Sequence, residues 1–276
     1  MNRKLWNKDT ILMLQGNAVS ALGDILYSVA IGYWVYEKTG SSALMGIMSS
    51  ISMFMTMLVM PFSGSIIDKC SRKLIIVGMD TLRGVIMLAL GVLAFADSLS
   101  VPVVLAAAFL ASACSVFFSP AVNTLMLDII PHDDMVRGQS VFSGVNSFIN
   151  LVGKAISGAL VAFLGVPLIV LLNGVSYLVS AFTELFITVP KTVHQGEKIT
   201  LGGIFSDFRV AVREIFRNRY LKLFIPCALI LNLLSAGSMT LMLPFTLEKG
   251  FTSDEIAAAD RSAMQYRRKL EKQQDS

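Results

Sequence analysis

The chain has 276 residues, of which 54% are hydrophobic and 15% charged, with a mean hydropathy of +0.67 and a formal net charge of +4 at pH 7. That composition excludes an ordinary soluble domain of this length. The positive balance does not point to nucleic acid, because the basic residues sort to the ends of apolar runs and form no single patch.

A membrane-spanning helix takes about 20 mostly apolar residues, and seven such runs occur, at 11–36, 42–66, 74–96, 102–125, 139–164, 167–190 and 221–246. The first follows Arg3, Lys4 and Lys8, but it is long, contains Asp24 and lacks a small-residue cleavage site, so it is predicted to be a retained helix and not a secretory signal. Along it Asn17, Ser20, Asp24, Tyr27 and Ser28 follow i, i+3, i+4 steps and form one polar stripe. A mid-span carboxylate is costly in lipid and marks an ion or substrate pathway, whereas small hydroxyls also serve as glue between helices.

The second run carries Met45, Met48, Met53, Met55, Met57 and Met60. Their spacing spreads them around the helix, which suits flexible packing and not a soft-metal site. It leads into "GSIIDKCSRK", Gly64 to Lys73. There Gly64 allows close backbone approach, and Asp68 is placed to accept from Arg72 or from a neighbouring helix start. Lys69, Arg72 and Lys73 hold the turn in water. The third run sets Asp80 and Arg83 three residues apart, suited to an ion pair or to snorkelling of Arg83.

The fourth run bears Ser112, Ser115, Ser119 and Asn123 on one stripe. In the fifth, Asn146, Asn150 and Lys154 recur at steps of four, with Lys154 roughly 15 Å from the span end at helical rise. A lysine at that depth needs a partner, and Asp24 at matching depth is expected to pair with it. Gly153 and Gly158 with Ser157 offer a close-packing face. The sixth run places Asn173, Tyr177, Ser180 and Glu184 on one stripe, with Glu184 near the end and expected to snorkel to the interface.

From Leu201 to Lys222, Phe205, Phe208, Val212, Ile215 and Phe216 oppose Arg209, Arg213, Arg217 and Arg219. Such a segment is predicted to lie on an anionic leaflet. The seventh run adds Asn232, Ser235 and Met239 on one side. Fourteen basic residues fall in alternate connections against two in the opposite ones, which places the amino terminus in the cytoplasm. Cys70, Cys114 and Cys227 are scattered, and His132 and His194 stand in loops. Neither a metal site, a phosphate loop, a disulfide framework nor an enzyme signature is found, and no cofactor is expected. Energy is expected from an ion gradient, most simply protons through Asp24.

The pattern G-x-x-x-D-[RK]-x-x-[RK]-[RK] resembles the signature loop of the major facilitator superfamily. "LGDILYSVAIGYWVYEKTGSSALMG", "FSGSIIDKCSRKLIIVGMDTLRG", "FFSPAVNTLMLDIIP" and "LVGKAISGALVAFLGVPLIVLLNGVSYLVSA" are similar to successive segments of its drug and siderophore exporter branch, which includes enterobactin and macrolide exporters. The resemblance implies an all-α membrane protein. Residues 1–190 would form the amino-terminal six-helix half, 191–220 a cytoplasmic amphipathic linker, 221–248 a seventh helix opening the second half, and 249–276 a polar tail. It implies that Asp68, Lys69, Arg72 and Lys73 latch a cytoplasmic gate, with Asp80 and Arg83 associated with it. Lys69 stands where arginine is more usual. The first, fourth and seventh helices would line a central cavity, and Lys154 replaces a proline usual after the glycine at 153.

The function so implied is secondary active, proton-coupled efflux of amphipathic small molecules, a drug, macrolide or siderophore, by a multi-pass protein of the cell membrane. A non-transporting fragment, a partner-binding half-transporter and a seven-helix receptor stand as alternatives, the last disfavoured by the basic amino terminus. "VYEKTGSSALMG" and "TLEKGFTSDEIA" leave the first and seventh runs alike, as parallel repeats do. The following "AADRSAMQYRRKLEKQQDS" is too polar to cross a bilayer. The expectation is a truncated transporter lacking counterparts of five spans, or one completed by a second chain or a homodimer.

Overall fold

The computed structural model describes residues 6–188 and, beyond them, 203, 209–210, 213, 216–218, 220–224, 226–227 and 230–231; the side chains at 42, 43, 45, 46, 49, 61, 65, 68 and 132 stand outside that description. Six long helices are seen: α1 (Lys8–Thr39), α2 (Ser42–Lys69), α3 (Arg72–Phe95), α4 (Val101–Ile129), α5 (Met135–Leu164) and α6 (Val166–Glu184), with a 3-10 turn at His132–Asp134 before α5. There is no strand among the described residues. Lys8–Thr39, Arg72–Phe95, Val101–Ile129 and the α5–α6 segment Met135–Glu184 are long and apolar enough to cross a membrane, and within α2 the stretch Ser50–Met60 is apolar. The protein is an all-α membrane protein.

Local chemistry sets the ends. Asn7 caps α1, its Oδ1 accepting from the Thr10 amide at 2.7 Å, and Gly40 closes that helix in the left-handed region at φ 64°. Pro102 and Pro167 stand in the first turns of α4 and α6, where a missing amide hydrogen is harmless. Gly165, at φ 76° and ψ 158°, adopts a backbone few other residues tolerate and separates α5 from α6.

The packing exchanges partners between two three-helix repeats. α1 packs on α5 and α6, α4 packs on α2 and α3, and α3 packs on α6 between them. Exchanging α1–α3 with α4–α6 maps this set of contacts onto itself, the signature of a pseudo-two-fold repeat within the half. α3 and α6 therefore form a back wall, with α2 and α5 at the margins. The wall is close-packed by glycine: a Cβ on Gly84 would lie 2.6 Å from Leu178 Cδ2, and one on Gly174 would lie 2.8 Å from the Leu88 amide nitrogen.

Two apolar layers stack along the bundle. One joins Met13, Ile67, Ile76, Phe118, Leu125, Ile129, Phe142 and Ile187 at the end that carries the α2–α3 turn, here termed the basic end. The other joins Ile31, Val35, Met87, Leu90, Val104, Ile169 and Tyr177 toward the opposite end. Polar side chains on α1, α3 and α6 lie between them.

The chain divides into two compact units, Met1–Phe208 and Arg209–Ser276. In the second, Asn218 Oδ1 accepts from the Tyr220 and Leu221 amides at 3.0 and 3.4 Å, and its carbonyl accepts from the Lys222 amide at 2.9 Å, which caps a helix start. Tyr220, Leu223, Phe224 and Leu231 are exposed, as lipid-facing residues would be. The remainder of the expected seventh helix, including Asn232, Ser235 and Met239, and the polar tail lie outside the described residues.

Candidate functional site

The polar stripe of α1 opens into a cavity of about 340 Å³. Asp24, Tyr27 and Ser28 line it from α1, Met48 and Ser52 from α2, Met87 from α3, Ser112 and Ser115 from α4, and Tyr177 from α6. Asp24 lines this wall, so a carboxylate in the middle of a long apolar helix borders an open cavity. Its Oδ1 accepts a hydrogen bond from Tyr177 Oη. Across the cavity the Ser52 and Ser112 hydroxyls meet at 2.8 Å, tying α2 to α4. Mostly apolar lining with a few convergent polar groups is the usual character of a small-molecule site.

A second cavity, of about 190 Å³, lies between α1, α4 and α5 and is lined by Asn17, Ser119, Asn123, Gln139 and Asn146 beside Phe118 and Phe142. Asn17 Nδ2 donates to Asn146 Oδ1 at 3.1 Å. Its named polar groups are uncharged amides and hydroxyls, in contrast to the acidic first cavity.

Behind the first cavity the back wall buries charge. Arg83 Nη1 lies 3.3 Å from Asp80 Oδ1, with both side chains almost fully enclosed. The guanidinium carbon sits 4.5 Å from the Phe118 ring centre and 5.3 Å from that of Tyr177, so each apolar layer supplies one aromatic face to it. Ser180 Oγ donates to Glu184 Oε1 at 3.2 Å. Glu184 is only 1% exposed and does not snorkel as its position near the end of α6 suggested. Its stripe, with Asn173, Tyr177 and Ser180, is buried in the bundle, and Gly16 of α1 lies directly against Ser180 and Glu184.

At the basic end the α2–α3 turn shortens to Cys70 and Ser71. Arg72, the first residue of α3, forms an ion pair with Asp128 in the last turn of α4. The attraction of a cation to a helix carboxyl end adds to this pair. Arg72 was expected to serve Asp68; Asp68 stands in the last turn of α2, and its side chain lies outside the described residues. Lys69 and Lys73 are half-buried beside the turn. Asn7 Nδ2 donates to the Ile129 carbonyl at 3.4 Å, and the Thr188 amide donates to Asp9 Oδ1 at 2.9 Å, so the start of α1 fastens the ends of α4 and α6.

The remaining candidate residues divide. Gly153 packs on α1, where a Cβ would lie 3.1 Å from Ile25 Cγ2, while Gly158 has open space around it. Gly64 likewise faces open space among the described residues. Asn150 is exposed and bonds back to the Asn146 carbonyl. Lys154 is exposed, and the expected pair with Asp24 is not formed: Tyr177, not Lys154, partners that carboxylate. Both residues flank the Ile25–Gly153 contact, with Asp24 lining the cavity. Asp128, Tyr177 and Glu184 are the site residues that the sequence did not single out for these roles.

Comparison with known proteins agrees with this architecture. The sequence model of the Major Facilitator Superfamily matches residues 13–262. The putative bacilysin exporter BacE of Bacillus subtilis is 30% identical over 217 residues, which cover 75% of this chain and 51% of that protein. Macrolide efflux protein A of Streptococcus pyogenes is 23% identical over 186 residues, 67% of this chain and 46% of that protein. The uncharacterised transporter YkuC of Bacillus subtilis is 22% identical over 258 residues, 90% of this chain and 59% of that protein. The chain thus spans about half the length of the curated relatives it matches. With six long helices in an exchanged three-plus-three packing and a family match over most of its length, the chain belongs to the Major Facilitator Superfamily of membrane transporters.

Proposed function

We propose that the chain serves secondary active export of amphipathic small molecules, driven by protons that Asp24 takes up and releases. The observation that carries this reading is a carboxylate at the wall of a cavity of about 340 Å³ between the helices. A charged group at such depth is retained where it binds an ion or a substrate. Relatives named for macrolide efflux and for bacilysin export support the outward direction and a drug-sized or antibiotic-like substrate.

In this reading Asn17, Ser119, Asn123 and Gln139 hold the polar groups of the substrate, and Tyr27, Ser115, Asn150 and Lys154 lie along its route. Asp68, Lys69, Arg72, Lys73, Asp80 and Arg83 control the cytoplasmic gate. The amino terminus is cytoplasmic, as the sorting of basic residues supports. Residues 1–190 form the first half, 191–220 the surface linker, 221–248 the seventh helix and 249–276 the tail. The partners are the lipid bilayer, protons and the small-molecule substrate.

The test is uptake into proteoliposomes under an imposed pH gradient, with a panel of amphipathic dyes and macrolides. Gradient-driven flux is expected for the native chain, with its completing partner where one is required, and loss of that flux with retained membrane insertion for Asp24→Asn. Proton-coupled flux at the native rate in Asp24→Asn would refute the role of this carboxylate.

A further inference from the structure

Arg83 stands in the back wall behind the cavity, and the wall holds acids that the transport reading leaves without a task in proton binding. Asp80 is 0% exposed and Glu184 1% exposed, and neither lines the cavity. Asp80 Oδ1 meets Arg83 Nη1 at 3.3 Å and Glu184 Oε1 meets the Ser180 hydroxyl at 3.2 Å, while Asp80 Oδ2 and Glu184 Oε2 are buried without a hydrogen-bond partner among the described residues. We propose that Asp80 and Glu184 together form a proton-binding site on the back wall, coupled to Asp24 through the guanidinium of Arg83.

The charge census of the surrounding helices supports it. α1 contributes Asp24 and Tyr27, α3 contributes Asp80 and Arg83, α4 contributes Cys114, and α6 contributes Tyr177 and Glu184. Among the described residues, three carboxyl groups therefore face one permanent cation. A carboxylate buried without compensation is costly, and one proton on the Asp80–Glu184 pair leaves a single negative charge for the guanidinium there. Asp80 acts on Glu184 through its charge, and Arg83 acts on both of them and on Asp24.

Close packing makes this a built site. A Cβ on Gly16 would stand 2.9 Å from Ser180 Oγ and 3.3 Å from Glu184 Oε1, so α1 closes over the pair with no room to spare. Glu184 is also the last residue of α6, and Thr188, four residues on, is already exposed at the basic end. Glu184 thus lies about one helical turn from the exposed basic end, and it does not line the cavity. Charge that arrives at Asp24, as a proton or a substrate ammonium, changes how strongly Arg83 is drawn toward the cavity. By linkage the proton on the pair affects Asp24 in return.

This proton site goes beyond the transport reading, and its test needs no substrate. Infrared difference spectra of the full purified chain in lipid nanodiscs, recorded across a pH titration, report protonated carboxyl groups through their C=O stretch. A titrating band is expected that is lost in Glu184→Gln and in Asp80→Asn. Asp24→Asn is expected to keep that band while weakening proton binding about tenfold, because a negative charge is removed. Ser180→Ala retains both acids and is expected to move the band frequency by removing one hydrogen bond, which decides the matter if the carboxamide variants misfold. A band unchanged in frequency by Ser180→Ala, a band that survives both carboxamide substitutions, or a midpoint unmoved by Asp24→Asn would each overturn the proposal.

Discussion

The back wall and the marginal helices of the bundle are built by different rules. Between α3 and α6, glycine brings backbones together and polar groups are buried, with Arg83 set against two aromatic rings and paired with Asp80. On α2 and α5, Met53, Met57, Phe148, Leu151 and Phe163 stand exposed, and the glycines at 64, 144 and 158 face open space. In lipid, apolar side chains gain little by leaving the tails for one another, so helix association must come from close packing and polar contact. The wall has both, and the margins have neither in comparable measure. In the wall glycine brings two helix backbones together, while α2 is fastened to α4 through Ser52 and Ser112 and α5 to α1 through Asn146 and Gly153.

The sharpest way to break this contrast is Arg83→Met. Removing the cation strands two acids in a dry site and is expected to cost about 3–5 kcal/mol, measured by unfolding in detergent. Adding Asp80→Asn to that variant is expected to recover part of the loss, since one stranded charge is then gone. If the single variant unfolds like the native chain, the wall is not held by its charges. A smaller effect is expected from glycine. Gly174→Ala puts a methyl against the Leu88 backbone and is expected to cost about 1–3 kcal/mol, whereas Gly158→Ala, with open space around it, is expected to be neutral or to stabilise by up to about 1 kcal/mol through helix propensity. Equal losses at the two positions would erase the distinction. The smallest concerns the turn at the basic end: Arg72→Lys keeps the charge but loses the forked donor to Asp128, and about 1 kcal/mol is expected. A double-mutant cycle with Asp128→Asn that shows no coupling would remove this pair as a fastening.

Much of the bundle was legible because a bilayer demands about 20 apolar residues per helix. Six of the expected runs overlap α1 to α6, although α1 begins at Lys8 and α4 continues to Ile129, since helices extend past the lipid while hydropathy stops at its edge, and α6 stops at Glu184, short of the expected 190. Asp24 stood out in the sequence because a carboxylate in an apolar run is costly in lipid, and it lines a cavity. Its partner was not. Lys154 and Tyr177 both lie at a suitable depth, and the choice depends on the rotation of α5 and α6 about their axes, which tertiary packing decides over a separation of 153 residues. Glu184 was misjudged for the same reason: depth alone allowed it to reach the interface, but its face of α6 turns inward. Asp128 carried no local signal, because its significance depends on the neighbouring start of α3.

The exchange of partners between the repeats sets an order of assembly. α1 is synthesised first, yet its principal neighbours are α5 and α6, and Asp9 near its start meets the amide of Thr188, 179 residues later. Until those helices leave the ribosome, α1 must wait in the bilayer with Asp24 still lacking the Tyr177 hydroxyl and Gly16 and Gly23 still facing no partner. The α2–α4 and α3–α4 contacts can form as soon as the fourth helix arrives, so α2, α3 and α4 are positioned to assemble first and to receive α1 last. A nascent chain stalled before α6 would therefore hold a stable three-helix core beside an unclaimed first helix, the species on which membrane quality control would have to act.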